Sequence, residues 1–185
     1  MGKQTTYRQL EKDLLAIVAQ PFPGITVAVE HSDRWNRMSV TFQWAGFADL
    51  LPEERFQRLA TVIPEEFRSS RLPGFVWLEL APGETVDEVL KRPRSEDIVE
   101  REEEIYASLL PAGFFDLLRE SLAPNPTTAC GGGFARTAAI LSGQGMSESG
   151  ICDAKLLFIR YGAYCDCQVL ASVQAELAKH YAGAA

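Results

Sequence analysis

Two short segments decide the fold of this chain: ITVAVE at residues 25–30 and MSVTFQW at residues 38–44. Both are rich in β-branched and aromatic residues, and both alternate between apolar and polar positions. This pattern is typical of strands that bury one face and expose the other. The polar stretch between them, residues 31–37, divides the two strands. We therefore predict an antiparallel pair.

The segments on either side of this pair supply the rest of a small domain. A first helix is predicted before it, with Thr5 or Thr6 as N-cap, from apolar residues at helical spacing: Leu10, Leu14, Leu15 and Val18. Pro52 opens a second helix, whose apolar stripe consists of Phe56, Leu59, Ala60, Ile63 and Phe67. FVWLEL at residues 75–80 predicts a third strand, and Thr85 can cap a short helix after it. The predicted order is α-β-β-α-β.

A family resemblance enters at the connection between the second strand and the second helix. The phrase GFADLLPEERFQRL at residues 46–59 resembles the BolA family, which carries a comparable F-x-G-L-x-x-x-x-R-x-x-x-V phrase between the same elements. The resemblance covers the first half of the chain and implies a BolA/KH-like (class II KH-like) sheet domain. BolA-like proteins usually place a histidine at the start of the third strand for shared iron–sulfur ligation. The matching residues here are Phe75, Val76 and Trp77, so no ligand is carried over.

The charged, proline-containing segment KRPRSED at residues 91–97 breaks this pattern. We predict one domain over residues 1–93 and a second, all-helical domain over residues 94–185, which makes the fold class α+β. The helices of the second domain are expected from Ser95 to about Leu110, from Phe114 to Leu122, up to Leu141, from Ser147 to Gly162, and from Asp166 to Tyr181. Acids of the first of these are expected on a solvated face: Glu100, Glu102, Glu103 and Glu104.

Composition and charge exclude some classes of partner. The chain has 185 residues and a formal net charge of −7, so the sequence predicts no nucleic-acid partner, because phosphate contacts need a surplus of Lys and Arg. No apolar run reaches the length of a membrane span, and the first residues lack the apolar stretch of a signal peptide. We expect a cytoplasmic protein that does not contact a membrane. Thiols stay reduced in that compartment.

A second resemblance covers much of the second domain. The block GAYCDCQVLASV at residues 162–173 is similar to G-G-Y-C-D-C-E-V-L-x-N-V, the end of an uncharacterised bacterial family of unknown function. Cys130 and the Arg-Thr pair at residues 136–137 match the loop cysteine and the helix that precede this block in the family. Members often place histidines just after the loop cysteine, where this chain has Gly132 and Arg136. A Cys/His metal site of the family type would therefore lack its histidines here.

All four cysteines lie in the second domain: Cys130, Cys152, Cys165 and Cys167. Four clustered thiols predict a metal site, and Zn²⁺ fits because its structural sites take four N or S ligands in a tetrahedron. Three alternatives stay open. The cysteines can be small buried apolar residues; Cys130 can be a reactive thiol before three glycines and a helix N-terminus; or Cys165 and Cys167 can form a redox pair.

The sequence predicts no catalytic residue. The carboxylate pairs Glu53/Glu54 and Glu65/Glu66 are expected to face solvent, and the GGG run at residues 131–133 lacks the Lys-Ser/Thr of a P-loop. We therefore predict a binding or interaction module with an unidentified protein partner or small ligand. A thiol-dependent enzyme or redox protein is the alternative.

Overall fold

The computed structural model describes residues 2–122 and 131–181, with side chains from residue 6 onward. The chain divides into two compact units, Met1–Arg92 and Pro93–Ala185. The first unit holds all the strands of the described residues, and the second is helical throughout its described part. The α+β class, with a small sheet followed by a helical region, is thereby confirmed.

The N-terminal unit is built around a three-stranded mixed sheet. Its elements are α1 (Gly2–Val18), β1 (Thr26–Ser32), β2 (Arg37–Gln43), a 3₁₀ turn (Ala45–Phe47), α2 (Pro52–Val62), α3 (Glu65–Arg71), β3 (Val76–Leu80) and α4 (Val86–Leu90). The strand order is β1-β2-β3. β1 and β2 are antiparallel, with Val29 opposite Val40, and β3 runs parallel to β2, with Trp77 opposite Val40. The predicted antiparallel pair is confirmed.

The core of this unit lies between the sheet and its helices. The stripe predicted for α1 is largely buried, because Leu10, Leu14 and Val18 are at most 5% exposed, whereas Leu15 is exposed. From the sheet, Val40 and Phe42 are fully buried in the same apolar cluster. The alternation that predicted the strands therefore reflects a real inner face.

Two predicted boundaries of this unit are wrong. α1 is already helical at Gly2, ahead of the N-cap predicted at Thr5 or Thr6. The single second helix is two helices, α2 and α3, separated at Pro64. A proline disfavours helical backbone at the residue before it, and Ile63 is accordingly extended, with ψ 115°.

The polar side of α2 also differs from the prediction. Glu54 is 2% exposed instead of solvent-facing, and Arg55 is fully buried, whereas Phe56 is 44% exposed. Glu54 accepts a hydrogen bond from the Leu51 N–H at 3.1 Å, so it closes the start of the helix. The buried stripe of α2 runs through positions 55, 59 and 63, which has the i, i+4 spacing of a helix face.

The C-terminal unit begins with a 3₁₀ segment, Ser95–Arg101, which replaces the first part of a predicted α-helix. It continues with α5 (Glu102–Leu109), α6 (Phe114–Leu122), α7 (Ala135–Gly143) and α8 (Glu148–Arg160). The last helix, α9, consists of Asp166–Gln168, a π-helical turn Val169–Val173, and Gln174–His180. The Ser147 hydroxyl caps α8 by accepting from the Gly150 N–H, and Gly162 follows α8 at φ 85°.

The core of this unit is aromatic and aliphatic. Phe114 of α6 stacks on Phe158 of α8, with ring centroids 5.6 Å apart, and both rings are fully buried. Leu118, Leu157 and Val169 are fully buried as well. Glu102 is only 9% exposed, so the prediction that the whole acid run from Glu100 to Glu104 faces solvent is wrong at this position.

Among the helices of the described residues, none is long and apolar enough to cross a membrane.

Candidate functional site

Cys165 and Cys167 lie side by side where α9 begins. Cys165 precedes the helix in extended backbone (φ −160°, ψ 161°), and Cys167 lies in its first turn. The two Sγ atoms are 3.0 Å apart. Gln168 reaches back over this turn, because its Oε1 accepts from the Tyr164 N–H at 2.7 Å. The backbone that carries both thiols is therefore fixed from both sides of the pair.

Asp166, between the two cysteines, caps a different helix. Its Oδ1 accepts from the Thr137 N–H at 3.0 Å and from the Thr137 hydroxyl at 2.7 Å, and its Oδ2 accepts from the Arg136 N–H at 3.0 Å. Asp166 is 2% exposed and Thr137 is fully buried. The N-terminal N–H groups of a helix need acceptors and carry partial positive charge, so a buried carboxylate is stabilising there. Asp166 supplies to α7 the cap that Phe134, at its N-cap position, does not.

The contact is reciprocal. The Asp166 N–H donates to the Gly133 carbonyl at 3.1 Å, so the segment before α7 and the segment before α9 are joined by backbone and side chain. Gly132 lies at φ 73°, a conformation that favours glycine, which gives one residue of the GGG run a structural role. Arg136 also ties α7 to α6, because its Nη1 donates to the Ser121 carbonyl.

The four predicted ligands are placed differently. Cys165 is 8% exposed, and Cys167 lies beside it, half-buried. Cys152 is half-buried in α8. Cys130 falls outside the described residues. Within residues 2–122 and 131–181, no group of three or more His, Cys, Asp or Glu side chains is arranged to hold a metal ion. The structure thus brings two of the predicted ligands together, and the four-cysteine site stays a prediction.

A π-helical turn follows the thiol pair directly. Val169–Val173 is π-helical, and its end residues Val169 and Val173 are fully buried. Such turns are rare and are found at functional sites more often than elsewhere. The turn also contacts α6, so the α9 backbone is distorted where it packs.

The two histidines that could serve as a base for a reactive thiol lie in different units. His31 is an exposed residue of β1, and its Nδ1 lies 3.5 Å from Asp33. His180 ends α9 and contacts the rings of Tyr161 and Tyr181.

Sequence reasoning did not identify the role of Asp166. One feature could have done so: α7 begins after Phe134, with no Ser, Thr, Asp or Asn at the position that normally caps a helix. A helix without a local cap needs an acceptor from elsewhere in the chain. The aspartate between the cysteines, close to a predicted helix start, was a suitable candidate.

Comparisons with protein-family models, with curated proteins and with solved structures found no match. The two family resemblances stated above therefore stay predictions.

Proposed function

We propose that the helical unit is a binding module in which Cys165 and Cys167, together with Cys130 and Cys152, ligate a structural Zn²⁺. The observation that supports this most is the 3.0 Å separation of the Cys165 and Cys167 Sγ atoms. Two thiols this close at a helix start have the partial positive charge of the helix N-terminus nearby, which favours the thiolate form that a metal binds.

A small change in the distance between the Cys165 and Cys167 sulfurs would let both bind one Zn²⁺. Tetrahedral Zn–S bonds of about 2.3 Å place two sulfurs roughly 3.8 Å apart, so the pair would open by about 0.8 Å on binding. Cys167 is half-buried and Cys165 is buried, so rotation of the Cys167 side chain is the less costly movement. The fixed backbone at Asp166 would stay in place.

Two observations relate Cys130 and Cys152 to this pair. Cys130 stands three residues before Gly133 in the sequence, and the Gly133 carbonyl accepts the Asp166 N–H. Three residues of chain span at most about 11 Å, so the covalent chain limits the distance between Cys130 and Gly133 to that reach. Cys152 lies on α8, which packs against α7, the helix that Asp166 caps. A reducing, cytoplasmic setting would keep all four thiols available for a metal.

The test is metal content and stability of the full chain purified without chelator. We expect about one equivalent of Zn²⁺ by elemental analysis, in line with one four-ligand site. Cys165→Ser should lose the metal and lower the melting temperature of the helical unit, because binding free energy of a structural metal is folding free energy. Ser172→Ala, which changes an exposed residue of α9, is the matched control. It should keep both the bound metal and the melting temperature of the parent. Protein without Zn²⁺, and without added stability when Zn²⁺ is supplied, would contradict the proposal.

The same sulfur separation also supports a second candidate, a redox pair. In this case Cys165 and Cys167 would form a disulfide by exchange with an external disulfide such as oxidised glutathione, which leaves as two reduced thiols. Thiol titration distinguishes the two candidates. Joint loss of two thiols on oxidation, with no metal bound, favours the redox pair; protection of all four thiols by Zn²⁺ favours the metal site.

A further inference from the structure

A second site lies in the helical unit, at the meeting point of three helix ends. Glu102 begins α5, Arg160 and Tyr161 end α8, and His180 and Tyr181 end α9. Together with Val99 these residues line an open cleft of about 570 Å³. This volume lies within the range of small-molecule sites. Neither the cysteine block nor the proposed metal contributes to it.

The Glu102 carboxylate holds the wall of this cleft together. Its Oε2 accepts from the hydroxyls of Tyr181 at 2.9 Å and Tyr161 at 3.2 Å, and its Oε1 is paired with the Arg160 Nε. The two hydroxyl oxygens lie 3.3 Å apart. Burial raises the pKa of both phenols, so both stay protonated and can keep donating to the carboxylate. The negative charge of Glu102 is therefore already matched by three donors.

Two kinds of group in the cleft can still contact a ligand: the outer edge of the Arg160 guanidinium and the rings of His180 and Tyr181. Within the described residues Arg160 has no hydrogen bond from Nη1 or Nη2, and its side chain is 36% exposed. The exposed His180 ring lies edge-on to Tyr181, with centroids 4.7 Å apart, and edge-on to Tyr161 at 6.1 Å. Tyr181 is itself stacked on the buried Tyr106 at 5.3 Å, which fixes its ring. The cleft thus offers paired N–H donors beside a rigid aromatic wall.

We propose that this cleft binds a small aromatic carboxylate. The Nη1 and Nη2 groups of Arg160 would donate to the two carboxylate oxygens, since a guanidinium presents its N–H groups in a fork that matches them. The rings of His180 and Tyr181 would contact the ring of the ligand. An organic cation fits less well, because the exposed charge at the cleft is the Arg160 guanidinium and the Glu102 oxygens are occupied.

The binding test uses the full chain and isothermal titration with 4-hydroxybenzoate as probe. We expect saturable binding with a Kd of about 1 mM or below, the strength that a ligand of this size reaches with one ion pair and one ring contact. The neutral 4-hydroxybenzamide keeps the ring and lacks the charge, so it should bind at least about tenfold more weakly. Benzylamine tests the opposite charge. Equal binding of the amide, or tighter binding of the amine, would overturn the proposal.

Two variants locate the binding. Arg160→Lys keeps a positive charge and one donor for Glu102 but removes the fork, and should weaken 4-hydroxybenzoate binding about tenfold. His180→Ala changes an exposed residue and should weaken binding severalfold without altering the circular dichroism spectrum. Arg119→Lys, on the exposed part of α6, is the matched control and should bind as the parent does. If the parent shows no saturation, or if neither cleft variant weakens binding, the assignment is wrong.

Discussion

The Asp166 carboxylate connects the Cys165–Cys167 block to the first turn of α7. Asp166 accepts three hydrogen bonds from the first turn of α7, and its own N–H donates to Gly133. Because Asp166 stands between Cys165 and Cys167, the cap of α7 also fixes the backbone from which both thiols project. The Cys-Asp-Cys order, with Arg136 and Thr137 about thirty residues earlier in the chain, is thereby given a physical reason.

Removing the charge of Asp166 should destabilise the helical unit. Asp166→Asn replaces one acceptor oxygen by an NH₂ group, which would face the N–H of Arg136 or Thr137 instead of accepting from it. We expect a loss of about 2 kcal/mol in the free energy of unfolding, from a lost cap and an unsatisfied buried donor. Urea unfolding followed by circular dichroism measures it. Asp116→Asn, at an exposed aspartate of α6, is the control. Equal free energies of unfolding for the two variants would show that the Asp166 cap contributes little to the stability of the helical unit.

At the scale of elements, one buried ion pair connects α2 to the turn between β3 and α4. Arg55 donates from Nη1 to the Glu79 carbonyl at 2.7 Å and to Glu84 Oε2 at 2.5 Å, and from Nη2 to Glu84 Oε1 at 3.2 Å. Arg92 pairs with the same carboxylate at 2.5 Å. The Glu84 side chain is 8% exposed and that of Arg55 is fully buried. The ends of α2 and β3 are therefore connected by charge as well as by apolar packing.

This ion pair explains why the orientation of α2 was not predicted. The apolar residues Phe56, Leu59 and Ile63 indicated a face that includes Phe56, yet the buried face passes through Arg55. Hydrophobic periodicity assigns a charged residue to the surface, and only the positions of Glu79 and Glu84, far along the chain, show that Arg55 has buried partners. The strands and their alternation needed no such distant partner, and they were predicted correctly.

The Glu84 carboxylate should make the N-terminal unit sensitive to acid. Burial alone would raise its pKa, but hydrogen bonds from Arg55 and from the Ala81 N–H, with the charges of Arg55 and Arg92, hold the pKa below its usual 4.5. A lowered folded pKa gives stability that is full above pH 4.5 and is lost as the pH falls through the folded pKa. Glu84→Gln should therefore lower the free energy of unfolding at pH 7 by about 3 kcal/mol, because Arg55 would remain buried without its counter-ion.

The same variant should also flatten the pH dependence of unfolding below pH 4.5. Urea midpoints measured between neutral pH and the acid range test both effects. Asp87→Asn serves as the control, because Asp87 is an exposed partner of Arg34 and its pair is screened by solvent. A Glu84→Gln protein with the parent's acid profile would mean that other carboxylates govern the acid sensitivity.

At the scale of the whole molecule, the chain divides into two compact units, and each has buried apolar residues of its own. The apolar cluster of the first unit draws its members from residues 10–81, and the stacked Phe114 and Phe158 belong to the second. The sequence predicted the class and most of the elements because these depend on local patterns of apolar residues. It missed the Asp166 cap, the Arg55 ion pair and the cleft at Glu102, because each joins polar residues that lie far apart in the chain.

Because each compact unit has its own buried apolar residues, we predict that each unit folds without the other. Fragments 1–92 and 93–185 should each show a cooperative thermal transition, with the second fragment strongly helical by circular dichroism, because each carries its own buried apolar residues. Zn²⁺ should be present for the second fragment, so that loss of metal is not mistaken for loss of a partner unit. The Phe158→Ala variant of fragment 93–185, which leaves a cavity beside Phe114, should lower its stability by about 3 kcal/mol or more and serves as the internal control. A non-cooperative transition in either fragment would mean that the unit needs its neighbour to bury its core.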